Sequence, residues 1–164
     1  MSPEPSLRPL RDEEYDAWRR AVTEGYADEI ETLGDTPHDA ARTKAEADMS
    51  TILPQGLATP GHWVFALEVA GERVGRLWLA ERTMDGRRVI FVYEVEVEEA
   101  HRGAGYGRAA MLLAEAEARA RGIGRIELNV FGGNAVARGL YRSLGYVERA
   151  ISMAKDLGDH PAAR

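Results

Sequence analysis

The chain has 164 residues, 45% of them hydrophobic and 29% charged, which fits one globular domain and excludes a fibrous or disordered chain. With no cysteine there is no disulfide framework, and no apolar run is long enough to span a bilayer, so a cytoplasmic protein with no membrane partner is expected. The net charge of −6 argues against a nucleic-acid partner, because a phosphate backbone requires a basic face.

Along the chain, Leu7 to Leu10 predicts an edge strand, since Pro9 cannot donate to a ladder. Tyr15, Trp18, Val22, Tyr26, Ile30 and Leu33 then step by three or four, predicting an amphipathic helix with Gly25 as a point of interruption. Thr36-Pro37 reads as an N-cap followed by proline at the first helical position of a second helix, whose buried stripe is Ala41, Ala45, Met49, Ile52 and Leu53. Residues 11–48 hold 12 acids against 5 bases, while the rest of the chain is near neutral. Solvated helix faces account for most of these acids; as a functional signal they favour a cationic substrate.

From His62 the period becomes two. Trp63 to Val69 and Arg73 to Leu79 read as a hairpin around Ala70-Gly71, and Asp85-Gly86 as a second turn leading to a strand from Val89 to Val97. Strict alternation there puts Phe91, Tyr93, Val95 and Val97 on one face and Val92, Glu94, Glu96 and Glu98 on the other. An alanine-rich helix follows, with Ala109, Leu112, Leu113, Ala116 and Ala120 as its expected stripe and Gly122 and Gly124 as its stop. Ile126, Leu128 and Val130 form another strand. Asn134 caps a helix through Leu144, and Tyr146 to Asp156 supplies one or two last strands. One domain is expected over residues 1–157, with 158–164 a disordered tail.

The segment between the long strand and the alanine-rich helix, Arg102-Gly-Ala-Gly-Tyr-Gly-Arg108, reads as a phosphate cradle. Its glycines let the backbone turn tightly and aim several N–H groups at one anion, at the positive end of a helix. A Walker A loop needs Lys followed by Ser or Thr where Arg108-Ala109 stands. The dinucleotide fingerprint fails too, because position 108 would have to be glycine. No pair of the four histidines has metal-ligand spacing, so no metal is expected. Trp18, Tyr26, Trp63 and Trp78 are either core aromatics or the lining of an acceptor pocket.

The hexad from Arg102 to Gly107 resembles the R/Q-x-x-G-x-G/A signature of the GNAT superfamily of N-acetyltransferases. Asn134-Ala-Val-Ala-Arg-Gly-Leu-Tyr-Arg-Ser-Leu-Gly-Tyr146 resembles its second signature, N-x-x-A-x-x-L-Y-x-x-x-G-F/Y, and the two come in the family's order. The resemblance implies an α/β (α+β) fold, a mixed, mostly antiparallel sheet of six or seven strands with helices on both faces. It implies coenzyme A held by Val95, Glu96 and Val97 as a false strand, and by Arg102, Gly103, Ala104, Gly105, Tyr106, Gly107 and Arg108 around the pyrophosphate. Asn134, with Ala137, matches the positions along the pantetheine arm, and Tyr141 the acid that protonates the leaving thiolate.

For the general base, Glu94 acting through water is the candidate, with a strand-face salt bridge as its bland alternative. Positions 91 and 93, where the family often carries its base, hold Phe91 and Tyr93 here. The activity implied is direct transfer of acetyl from acetyl-CoA to a primary amine on a small molecule or peptide. The alternatives are a non-catalytic acyl-CoA sensor and an enzyme using longer acyl groups. A homodimer is compatible with the resemblance.

Overall fold

The computed structural model describes residues 4–34, 36–155 and 157–158, apart from the side chains of residues 33 and 34. The Leu33 side chain as the end of the first helical stripe, Asp156 as the end of the last strand segment, and residues 159–164 of the tail expected over 158–164 therefore lie outside the described residues. The described residues up to Asn129 form one compact unit and those from Val130 a second.

The first unit opens with strand β1 (Ser6–Pro9), an edge strand antiparallel to β2 (His62–Val69), with Pro9 opposite Phe65. Helix α1 (Asp12–Gly34) runs through Gly25 uninterrupted and buries Trp18, Thr23 and Ala27. In α2 (His38–Ile52) the buried stripe is Ala41, Ala45 and Met49. Pro37 lies before that helix rather than in it: its ψ of 141° is extended, so helical geometry starts one residue later than the sequence implies. No helix among the described residues is long and apolar enough to cross a membrane.

Strands β2, β3 (Glu72–Met84) and β4 (Arg87–Val97) form a meander. Both of its turns have positive φ at two consecutive residues, Ala70 (52°) with Gly71 (80°) and Asp85 (50°) with Gly86 (75°). That is the type I′ geometry whose twist matches paired strands. Helix α3 (Tyr106–Ala120) then leads to β5 (Ile126–Leu128), which adds parallel to β4. The sheet order is β1-β2-β3-β4-β5.

The sheet is covered on both faces. On one, Trp18 of α1, Met49 of α2 and Leu53 pack with Val64 and Trp78. On the other, Ala110 of α3 packs with Leu67, Val69 and Val74. Leu67, Leu77 and Leu79 are at most 1% exposed, and full burial of such a side chain contributes roughly 1.5–3 kcal/mol. The α3 stripe differs from the expected one. Ala110, Met111, Ala114 and Ala118 are buried, whereas Leu112 is 48% exposed and Ala116 and Ala120 face solvent. Alanines line two faces of this helix, Ala109, Ala116 and Ala120 on one and Ala110, Ala114 and Ala118 on the other, so their spacing alone does not pick the buried face; Met111 falls beside the i, i+4, i+8 row from Ala110.

The second unit contains α4 (Ala135–Ser143). Five strands are present among the described residues, short of the six or seven expected, because residues 146–155 form none. The start of that segment is held to the preceding helix. Tyr146 N–H donates to Tyr141 C=O (3.0 Å), and one Glu148 oxygen accepts from Arg138 (2.8 Å) and Arg142 (2.6 Å).

Candidate active site

Between β4 and α3 the chain makes a 3₁₀ turn, Glu99–His101, and then two left-handed residues, Gly103 (φ 80°) and Gly105 (φ 84°). A Cβ at either glycine would meet nothing within 4 Å, so what selects glycine here is the backbone angle. Helical bonding begins with Ala109 N–H to Gly105 C=O (3.1 Å), so the amides of Gly103 to Gly107 precede the first intrahelical bond. They sit at the positive end of a 15-residue helix, an arrangement that suits a phosphate. Ala104 and Arg108 are exposed there, and Tyr106 turns inward against the α3-side core.

Strand β4 has two irregularities. Its pairing with β5 ends at Val92–Leu128, while its pairing with β3 continues to Val97–Gly75. Glu98 N–H donates to Val74 C=O (2.9 Å), so alternate residues Glu96 and Glu98 face β3, and the backbone groups of Val95 and Val97 face the side from which β5 has diverged. On that side Val97 C=O accepts from Arg102 Nε (3.1 Å), which ties the loop's first residue to the strand end. The close β3–β4 approach at this level depends on Gly75, where a Cβ would lie 2.3 Å from Glu96 O.

The second irregularity is a bulge. Leu79 pairs with Val92 and Trp78 with Glu94, leaving Tyr93 unopposed. The strict alternation expected from sequence is therefore broken. Tyr93 stacks on Trp78 (centroids 4.4 Å apart, planes at 19°) and Glu94 reaches Trp18, so both lie on the α1/α2 face. Val95 packs against the α3-side core instead. Phe91 meets Tyr93 edge-on at 5.0 Å, so two aromatics and a carboxylate gather on one face around the bulge.

Glu94 is held from two sides. Trp18 Nε1 donates to one oxygen (3.1 Å) and Arg76 Nε to the other (2.9 Å), and the carboxylate side chain is 13% exposed. Burial pushes its pKa up, opposed chiefly by the Arg76 charge. Arg76 also bonds Glu96 (2.6 Å), so the salt-bridge alternative for this strand face is present in the structure.

Of the aromatics, Trp18 and Trp78 meet edge-on at 5.4 Å beside Glu94. Tyr26 instead donates to Asp48 (3.0 Å), and Trp63 lies beneath Arg121 (4.0 Å). Three residues that the sequence alone assigns to no site belong to this face. These are Arg76, then His62, whose Nδ1 accepts from Trp78 Nε1 (3.1 Å), and Arg82, whose guanidinium covers Phe91 (4.8 Å) and Tyr93 (5.9 Å). Cross-strand register places them here, and register is not written in any local pattern. His38 lies on the surface beside Asp28 and Glu31.

In the second unit, Asn134 Oδ1 accepts from Ala137 N–H (3.0 Å), the side-chain cap of α4. Tyr141 is half-buried, its ring 5.8 Å from that of Tyr146, and burial pushes its phenol pKa up, so the hydroxyl keeps its proton at neutral pH.

The sequence profile of the Acetyltransferase (GNAT) family matches residues 11–146. The chain is 31% identical over 152 residues to the N-acetyltransferase YycN of Bacillus subtilis, covering 92% of this chain and 97% of that one. The crystal structure of YycN superposes with a TM-score of 0.89 over 94% of this chain and 99% of that chain, at 30% identity. A mycothiol acetyltransferase of Thermobispora bispora is 32% identical over 152 residues, 90% of this chain but 47% of that longer protein. At fold level, AAC(6')-Iy in complex with the bisubstrate analog CoA-S-monomethyl-acetylneamine is similar with a TM-score of 0.58 and 17% identity, over 93% of this chain and 99% of that one. With the glycine loop opening α3 and the diverging β4 edge beside it, these matches identify the chain as a member of the GNAT family of acetyltransferases.

Proposed function

We propose that the protein transfers acetyl from acetyl-CoA to a primary amine by direct attack within a ternary complex. Family members use acetyl-CoA, and the observation that carries the reading is the pairing of the Gly103–Arg108 amides with a β4 edge left open beyond Val92. In this reading the loop amides bind the pyrophosphate, with Arg102 fixing the loop to Val97. The backbone of Val95 and Val97, with Glu96 between them, pairs with the pantetheine amides as a strand would. The bulge at Tyr93 turns the Val95 amide toward the thioester carbonyl as an oxyanion donor. Asn134 and Ala137 are assigned to the pantetheine arm and Tyr141 to the acid role on the strength of the second signature.

The reaction forms a C–N bond and breaks a C–S bond. The amine nitrogen attacks the thioester carbon and its proton passes through water to Glu94, whose pKa burial raises toward that of a useful base. The tetrahedral intermediate expels the thiolate, which takes the Tyr141 phenol proton. Isothermal titration with acetyl-CoA and CoA, followed by an amine panel read by thiol release, tests this. Binding and turnover are expected. Absence of coenzyme binding by folded protein overturns the reading, and binding without turnover on any amine replaces it with an acyl-CoA sensor. Tyr141→Phe is expected to lower kcat by roughly 10²-fold or more with little change in coenzyme affinity.

A further inference from the structure

The α1/α2 face at the bulge carries a cation that forms an ion pair with no carboxylate among the described residues. Arg8, Arg76, Arg88 and Arg125 each bond a glutamate. Arg82 is held differently: it lies exposed over the rings of Phe91 and Tyr93, and among the described residues no hydrogen bond or ion pair engages it. The cation–π contact holds the guanidinium against the rings while leaving its N–H fork unspent.

Beside it, His62 is half-buried, with its ring 5.8 Å from that of Tyr93. Because Nδ1 accepts from Trp78, the ring proton sits on Nε2 and makes the imidazole a donor. Burial, then the Arg82 charge, lowers its pKa, which keeps it neutral. The other charged groups on this face are matched: Glu94 to Arg76 and Trp18, and Glu96 to Arg76. Three acids of α1 and α2 have partners of their own, Glu14 with Arg8, Glu46 with Arg19 and Asp48 with Lys44 and Tyr26. Among the charged groups named here, the one left unmatched on this wall is the Arg82 guanidinium, and its charge is positive.

We propose that Arg82 is a specificity residue that binds an anionic group on the acceptor, so that the substrate is a small amine carrying a carboxylate or a phosphate. This rests on the acetyl-transfer reading above. With the coenzyme along β4 from the bulge toward the Gly103–Arg108 loop, the reacting amine comes to the bulge from the Phe91 end, where Arg82 stands. A guanidinium 5.9 Å from the Tyr93 ring fits a short spacing between amine and anion. It also reverses the cationic substrate that overall acidity favours.

The experiment uses the full chain and matched acceptor pairs, with acetyl-CoA binding measured first by titration. The pairs are L-phenylalanine and its amide, L-leucine and its amide, and phosphoethanolamine and ethanolamine. The wild type is expected to favour an anionic member by about 10-fold or more in kcat/KM, the amino acids or phosphoethanolamine showing which anion is read. Arg82→Gln is expected to erase that preference through KM, and Arg82→Glu to invert it, both with wild-type coenzyme affinity. Arg82→Lys is expected to recover part of it, since the charge returns without the planar fork. Equal or better use of the neutral members by the wild type, or a preference that survives Arg82→Gln, overturns the proposal and leaves acetyl transfer standing. Coenzyme binding with no transfer to any amine overturns both.

Discussion

Arg8 shows how one side chain ties together parts of the chain far apart in sequence. Its guanidinium grips both oxygens of Glu14 at the start of α1 (2.8 and 2.9 Å) and bonds Glu68 on β2 (2.6 Å). Glu14 also accepts the Arg11 N–H (2.9 Å), the N3-to-N-cap half of a capping box. These bonds, that to Arg8 first, draw the Glu14 pKa down from its ordinary 4.5 to about 2. A carboxyl depressed by folding contributes stability that is complete above its unfolded pKa and lost as pH falls through its folded one. The stability gap between wild type and Glu14→Gln is therefore expected to be constant above about pH 5 and to close between about pH 4.5 and 2. Denaturant midpoints measured across pH 2 to 7 check this, and a gap that holds at low pH contradicts it. At the site, single residues were legible where local geometry demands them. Gly103 and Gly105 stand out in sequence because their positive φ admits few other residues. Arg76, His62 and Arg82 were not, because an arginine or histidine on a strand looks the same whether its cross-strand neighbour is a partner carboxylate, a ring or water.

Among the elements, β4 determines what the site can be. Its residues were readable as a strand, and the two hairpin turns of the meander that ends in it were readable as turns, because Gly71 and Gly86 are short-range signals. The bulge was not readable. It moves Tyr93 onto the same face as Glu94, converting an alternation of apolar and acidic positions into a mixed aromatic and carboxylate wall. The α3 stripe was misplaced for a related reason, since alanines line two faces of that helix and only tertiary packing chooses Ala110, Ala114 and Ala118. The open edge of β4 rests on Gly75 opposite it. A Cβ there falls 2.3 Å from the Glu96 carbonyl oxygen, a backbone atom that no rotamer change can move aside. Gly75→Ala is expected to cost about 1–3 kcal/mol, typical of an overpacked interior site, and to weaken acetyl-CoA binding by displacing Glu96 and Val97. Thermal melting and titration of the same variant check the two effects together. A variant with wild-type stability would mean that the strands can separate at this level without loss.

For the whole molecule, a ligand held by the glycine loop is linked to folding. A ligand that binds only folded protein stabilises it by RT ln(1 + [L]/Kd), about 2.7 kcal/mol at a concentration of 100 Kd. For a chain of 164 residues, each 1 kcal/mol raises Tm by roughly 2–4 °C. Acetyl-CoA at that concentration is therefore expected to raise Tm by roughly 5–11 °C. CoA should come close to this, because in the proposed mode the loop amides grip the pyrophosphate and the β4 edge grips the pantetheine, both of which CoA retains. NAD and ATP test the readings that Arg108 and Ala109 argue against, and at the same concentration each is expected to give a smaller shift. A shift from ATP equal to that from CoA would place recognition in the phosphates alone and remove the role assigned to Val95 and Val97. A shift from acetyl-CoA that vanishes in the Gly105→Val variant, whose backbone cannot adopt a φ of 84° without strain, would place it in the loop geometry.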